Sequence, residues 1–337
     1  MSKHLIFLVH GMGQHDQGWS ADTVTVLRES FAKALPGHGS FDDFYDIKEL
    51  QYSDQFDGYW ERYDGNAATL RQIPVIQGAG GLAGEIAEYA ARNPDDSFLR
   101  THVGDILLYA GTAYNHSVPL ALNVQILNAL QAGNYQSYSI VAHSMGTRVC
   151  HDLLQRTFTG EGAYQLIAKP KLFMNCANVT RLMSFDEDEF GDGMVVYPKE
   201  SETEGVCTYY VNAYHKLDPV AMIRRHKPKF KSDPLYREIY LKETDVTDKN
   251  VHDLSHYLLH PDVHSVLFNL TLADYPGQHP RVSDDEVATL VQGYRATTKH
   301  AELKAKLDKI KDEGWTTYAG VRDMIEKIAK FFSFIRD

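Results

Sequence analysis

The chain has 337 residues, of which 43% are hydrophobic, and it carries a formal net charge of −11. A chain of this size can bury one core that carries insertions. The negative charge excludes a nucleic-acid partner, which needs a basic face, and disfavours permanent binding to an anionic membrane.

Apolar runs and helical patterns alternate from the first residues onward. Residues 5–9 are predicted as a strand, and this apolar run is too short for a secretory signal. A helix over residues 22–34 and a strand over residues 47–52 follow. Residues 53–100 show no simple period, which indicates an insertion or a lid.

The regular alternation returns in the second half of the chain. Residues 105–109 are an apolar run. Strands are predicted over residues 138–142, 171–176, 207–214 and 238–242, with helices over 119–130 and 146–158. Ser283 and Glu286 have the spacing of a capping box, which opens a helical region. We expect an α/β fold with a mostly parallel central sheet flanked by helices. Residues 1–275 would form this domain, and residues 276–337 a helical extension packed on it.

The cysteine count indicates a reducing compartment. Cys150, Cys176 and Cys207 lie in apolar stretches, and their odd number leaves one unpaired. We expect three buried free thiols and a cytoplasmic location, since disulfides follow the redox compartment. No apolar run approaches the roughly 20 residues of a membrane span. Neither a metal site nor a cofactor is predicted.

Ser144 stands where a predicted strand meets a predicted helix. A nucleophilic serine needs such a tight turn, with small residues two positions before and two after it. These positions hold Ala142 and Gly146, so the first departs from the usual glycine. The N–H of Met145 would stabilise an oxyanion at the start of the helix.

A second turn follows the first strand and reads His10, Gly11, Met12, Gly13. It is either an ordinary glycine turn or the source of a second oxyanion donor, the N–H of Met12. Its occurrence with the serine turn favours the second interpretation. The supporting residues predicted around the two turns are His10, Gly11, Gly13, His143 and Gly146.

Asp218 and His252 are the candidate acid and base. Asp218 follows the strand predicted at 207–214, where hydrolases with such a sheet carry the carboxylate; the alternative is a simple Asp-Pro turn. His252 precedes a short helix that Asp253 can cap, and His256 is the alternative base. His256, His260 and His264 form a separate stripe, which we expect to be solvated rather than to bind a metal.

These motifs resemble a known family. LVHGMGQH, VAHSMGT and YHKLDPVAMI are similar to motifs of the lipase/esterase branch of the α/β-hydrolase superfamily. GDILLY, NAYHKLDPV and HDLSHYLLHPDVH resemble segments of DDHD-type phospholipases and related bacterial hydrolases. The resemblance covers residues 5–270. It implies an α/β-hydrolase fold, no cofactor and a serine hydrolase that acts on carboxylic esters, including lipid-like ones.

Three functional hypotheses follow from the sequence. The first is an esterase or lipase-like enzyme with Ser144, Asp218 and His252 as its triad. The second keeps the same chemistry in a phospholipase or thioesterase. The third is a catalytically silent protein that binds a lipid or a partner. An ester or lipid is the expected ligand, transient lipid contact is compatible with the sequence, and nothing in it indicates an oligomeric state.

Overall fold

A computed structural model defines the fold. It describes residues 2–13, 15–56, 109, 114–159, 168–181, 183, 194–201, 204–216, 218, 221, 225–242, 244–245, 251–273, 275 and 280–297. Most of the predicted insertion at 53–100, the apolar run at 105–109 (apart from Tyr109) and the chain after residue 297 lie outside the described residues.

Within the described ranges, six parallel strands form one sheet in the order β2-β1-β3-β4-β5-β6. They are β1 Lys3–Val9, β2 Tyr45–Leu50, β3 Tyr135–His143, β4 Leu172–Cys176, β5 Tyr209–His215 and β6 Tyr236–Leu241. Parallel neighbours need crossover connections, which helices commonly provide. The predicted α/β class with a parallel sheet is thereby confirmed.

The helices surround this sheet. They are α1 Ala21–Ala34, α2 Phe41–Phe44, α3 Tyr114–Ala132, α4 Met145–Thr159, α5 Leu254–Leu259, α6 Pro261–Leu272 and α7 Asp284–Thr297, with a 3₁₀ turn at Lys229–Ser232. The helices α1, α5 and α6 pack together and share one apolar core with β1, β3, β4, β5 and β6. The helices α3 and α4 pack against each other. Among the described residues, no helix is both long and apolar enough to cross a bilayer.

The central strands are buried on both faces. All five apolar residues from Leu5 to Val9 in β1 are 0% exposed. A strand covered on both faces has an unbroken apolar run instead of an alternating one, which is why the sequence pattern was clear here. The three cysteines are free and buried, as predicted. Burial raises the pKa of each of their thiols.

The histidine stripe was predicted wrongly. His256 and His260 are 0% exposed and His264 is 4% exposed, so these side chains are not solvated. The helix breaks at His260, which caps α6 by accepting the N–H of Asp262. Because α5 and α6 both pack on the core, the stripe faces protein. In the described part of the chain, no group of three or more His, Cys, Asp or Glu side chains could hold a metal ion.

Candidate active site

Ser144 occupies a strained turn between β3 and α4. Its φ of 50° lies in the left-handed region, which residues with a Cβ rarely adopt. The N–H of Ser144 donates to the carbonyl of Cys176 at 3.0 Å, and the Thr147 hydroxyl donates to the Ser144 carbonyl at 2.6 Å. These bonds hold the serine in a conformation that costs roughly 1–3 kcal/mol. Ser144 is 1% exposed.

Two glycines let the backbones of the serine turn and the first loop touch. A Cβ on Gly146 would lie 2.3 Å from the carbonyl oxygen of His10, and one on Gly11 would lie 2.9 Å from the Cβ of Ser144. Atoms cannot approach so closely, so both positions require glycine while the backbone stays in place. The loop after β1 therefore packs directly on the serine turn.

Asp218 lies beyond the end of β5 and is 0% exposed. The hydroxyl of Tyr257 donates to its Oδ2 at 2.7 Å, and the N–H of Ala221 donates to its Oδ1 at 3.3 Å. Burial raises the pKa of Asp218. The charge and hydrogen bond of His252, together with the two donors, lower this pKa by a larger amount. The net result is a pKa below the ordinary value, so Asp218 is a carboxylate at neutral pH.

His252 bridges the other two residues. Its Nδ1 lies 2.9 and 3.0 Å from the two carboxylate oxygens of Asp218, and its Nε2 lies 3.0 Å from Oγ of Ser144. Because Nδ1 faces a carboxylate it carries the proton, which leaves the Nε2 lone pair for the hydroxyl. Burial lowers the pKa of His252, but Asp218 raises it more, and the net shift is upward.

His143 contacts the backbone of His252, whereas His256 packs against another histidine. The Nε2–H of His143 donates to the backbone carbonyl of His252, which ties the histidine loop to the end of β3. Burial lowers the pKa of His143 to about 3, so its ring stays neutral. His256 packs edge-on against His215, with ring centroids 5.3 Å apart. Of the two candidate bases, His252 is therefore the one beside the Ser144 hydroxyl.

The two candidate oxyanion donors belong to the two turns that meet at Ser144. Met145 is the first residue of α4, so its N–H has no acceptor within the helix. Met12 follows Gly11, the residue packed on Ser144. Gly13 has a φ of 97°, which a glycine adopts without strain. His10 is 1% exposed and donates through Nδ1 to the Gly11 carbonyl at 2.8 Å.

A second Ser–His contact in the sheet shows what sets Ser144 apart. Oγ of Ser139 lies 2.8 Å from Nε2 of His4, whose Nδ1 contacts the hydroxyl of Ser137 at 2.7 Å. Burial, with a contribution from Lys171, lowers the pKa of His4 to about 3. The partner of His4 is a hydroxyl, not a carboxylate, so nothing there stabilises an imidazolium.

Sequence reasoning missed Tyr257, which binds the carboxylate of Asp218. Its position in the pattern of α5 marked it only as a residue of the buried face. No protein-family model and no curated protein sequence matches the chain.

Proposed function

We propose that the chain is a serine hydrolase with an α/β-hydrolase fold that cleaves carboxylic esters. Ser144 is the nucleophile, His252 the general base and Asp218 the residue that orients the base. The observation that carries this proposal is the line of contacts from Oγ of Ser144 through both nitrogens of His252 to Asp218. A base within hydrogen-bond reach of the hydroxyl, itself oriented by a third group, is what such chemistry needs.

The position of the three residues in the fold supports the proposal. In parallel α/β sheets, ligands bind beyond the carboxyl ends of the strands. Ser144 follows β3, Asp218 follows β5 and His252 follows β6, so all three residues lie at that end. Their order along the chain, serine, then aspartate, then histidine, is the order of α/β-hydrolases.

The reaction proceeds in two steps through an acyl-enzyme. Nε2 of His252 takes the proton of Ser144 as Oγ attacks the ester carbonyl carbon, and the N–H groups of Met12 and Met145 donate to the oxyanion. His252 then gives the proton to the leaving alkoxide, which departs as the alcohol. A water, deprotonated by His252, attacks the acyl carbon, and the acid leaves as Ser144 regains its proton.

The burial of the site favours this chemistry. Ser144 is 1% exposed, and the His252 side chain is 13% exposed. Asp218 therefore acts on the imidazolium with little screening by water.

A fluorophosphonate probe followed by peptide mass mapping tests the proposal, together with hydrolysis of esters of graded acyl length. We expect phosphonylation at Ser144, its loss in Ser144→Ala and His252→Ala, and its retention in His256→Ala. Ser139→Ala is a matched control, because it removes a buried serine hydroxyl that also contacts a histidine nitrogen. A folded wild-type protein that neither reacts with the probe nor hydrolyses any ester would refute the proposal.

A further inference from the structure

The carbonyl of Gly11 is held by two buried donors. Nδ1 of His10 and the hydroxyl of Tyr52 each lie 2.8 Å from this oxygen. The Tyr52 hydroxyl also lies 2.8 Å from the carbonyl of His10, so a single hydroxyl serves two successive carbonyls. Tyr52 is 1% exposed, and sequence reasoning assigned it no role beyond the end of a strand.

The His10 ring is fixed in one tautomer and one orientation. Its Nε2 accepts the N–H of Tyr52 at 3.4 Å, so Nδ1 must carry the proton that goes to Gly11. The ring stacks on Tyr52 with centroids 4.1 Å apart and lies 4.3 Å from the ring of His15. Burial lowers the pKa of His10 to about 3, so the ring is neutral at neutral pH and keeps this arrangement.

Fixing this carbonyl also fixes the next N–H. In a planar trans peptide, the C=O of one residue and the N–H of the following residue point in opposite directions. The Gly11 carbonyl points towards Tyr52 and His10, so the N–H of Met12 points away from them. The carbonyl of Met12 is held in turn by Nε2 of His15 at 3.2 Å. Both peptide units that flank the Met12 Cα are thus anchored.

We propose that Tyr52, with His10, is a positioning residue that keeps the Met12 N–H directed at the oxyanion. This inference rests on the proposed function. Gly11 packs against Ser144, so the peptide that carries this N–H begins beside the nucleophile. If that peptide turned over, it would present a carbonyl oxygen to the developing negative charge, and the interaction would become repulsive.

The inference predicts a selective loss of transition-state binding. Tyr52→Phe removes the hydroxyl and keeps the ring that stacks on His10. We expect kcat to fall about tenfold to a hundredfold, less than for complete loss of an oxyanion donor, while KM changes less than about twofold. The affinity for a trifluoromethyl ketone, which forms a tetrahedral oxyanion with the serine, should fall by the same factor as kcat. The midpoint of the pH profile should stay in place, because Asp218 and His252 are unchanged.

Tyr45→Phe is the matched control. Tyr45 is another tyrosine at 1% exposure, and its hydroxyl contacts Thr271 at 2.6 Å, in the core shared by α1, α2 and α6. This variant should lose stability and keep its kcat and inhibitor affinity. His10→Phe removes the other donor and should also lower the affinity for the trifluoromethyl ketone. His10→Asn, whose amide can still donate, should recover part of that affinity.

The outcomes separate this inference from the proposed function. Wild-type kcat and inhibitor affinity in Tyr52→Phe would overturn the positioning role, as would a fall in kcat without a matching loss of inhibitor affinity. If Tyr52→Phe does not fold, the two His10 variants provide the test. Equal inhibitor affinity in His10→Phe and the wild type would overturn the positioning role. A wild-type protein that hydrolyses no ester would instead refute the proposed function.

Discussion

The hydroxyl of Tyr257 donates a hydrogen bond to the carboxylate of Asp218, and removing this hydroxyl tests how much the bond stabilises the carboxylate. The oxygen donates to Oδ2 of Asp218 at 2.7 Å and accepts the backbone N–H of His215 at 3.1 Å. Burial, with the nearby charge of Asp218, raises the pKa of Tyr257 well above its usual value, so the hydroxyl stays protonated. Tyr257→Phe deletes this one atom and leaves the ring in the core.

The loss of stability in Tyr257→Phe can be estimated from the hydrogen bonds that the hydroxyl makes. A hydrogen bond to a charged group contributes about 1.5–3 kcal/mol to stability, and the His215 N–H also loses an acceptor. We therefore expect the free energy of unfolding to fall by about 2–4 kcal/mol. In Tyr45→Phe the lost partner is the neutral hydroxyl of Thr271, so the loss should be about 1 kcal/mol.

The pH dependence gives the sharper test. Without the donor, the carboxylate of Asp218 is less stabilised, so its pKa rises and its attraction for the proton on His252 grows. The pKa of His252 then rises as well. The proposed mechanism needs neutral His252, so the acid limb of kcat/KM should move to higher pH. Because Asp218 has a lowered pKa in the folded state, its stabilisation is complete above about pH 4 and is lost as pH falls through the folded pKa. The smaller pKa shift in Tyr257→Phe reduces that stabilisation.

Urea unfolding at neutral pH and the pH profile of kcat/KM, measured on both tyrosine variants, complete the test. A Tyr257→Phe protein with the acid limb of the wild type, and no more loss of stability than Tyr45→Phe, would refute the assigned role. A displaced acid limb in Tyr45→Phe would also contradict it, because that hydroxyl lies away from Asp218.

Three further predictions concern the same end of the sheet. In the wild type, kcat/KM should rise with pH through a midpoint above 6.5, because the pKa of His252 is raised from that value; a midpoint below it would contradict the assignment. Gly146→Ala should destabilise the protein by about 1–3 kcal/mol in urea and slow probe labelling, since its Cβ meets the His10 carbonyl. Gly293→Ala, with nothing within 4 Å of its Cβ, should instead stabilise α7 by about 0.5–1 kcal/mol; equal effects would show that the close contact is unimportant. His143→Phe should lower kcat about tenfold by releasing the His252 carbonyl, and His143→Gln should restore part of it; unchanged kcat in both would exclude this tether.

The strands and the serine turn could be predicted because their signals are local. The run from Leu5 to Val9 is apolar throughout since β1 is covered on both faces. The predicted second strand was displaced by two residues from β2, whose bounds are set by pairing with β1 from Tyr45 onward. Helix α3 begins at Tyr114, five residues before the predicted start at Pro119, so the proline lies inside the helix and does not mark its first residue.

The contacts that complete the site could not be predicted, because they join distant segments. Tyr257 and Tyr52 lie in apolar surroundings where the sequence pattern predicts only burial. The pattern around His143 predicts a supporting residue but not its contact with His252. Their hydrogen-bond partners depend on which loops meet at the end of the sheet, and no spacing encodes this. The buried histidines of α5 and α6 were misjudged for the same reason, since a polar stripe indicates a solvated face only when no other element covers it.

The parallel sheet also determines when the site can exist during folding. His4 and Ser139, on paired strands β1 and β3, are 135 positions apart, and Ser144 and His252 are 108 positions apart. The entropy of closing such long loops is lost before the contacts contribute any stabilisation, so folds with many non-local pairings form slowly. The hydrogen bonds of helices such as α1 join residues close in sequence, so these helices can begin to form before the strands meet. In a refolding experiment, the helical signal would therefore recover before ester hydrolysis, because hydrolysis requires all the strands of the sheet to be in place.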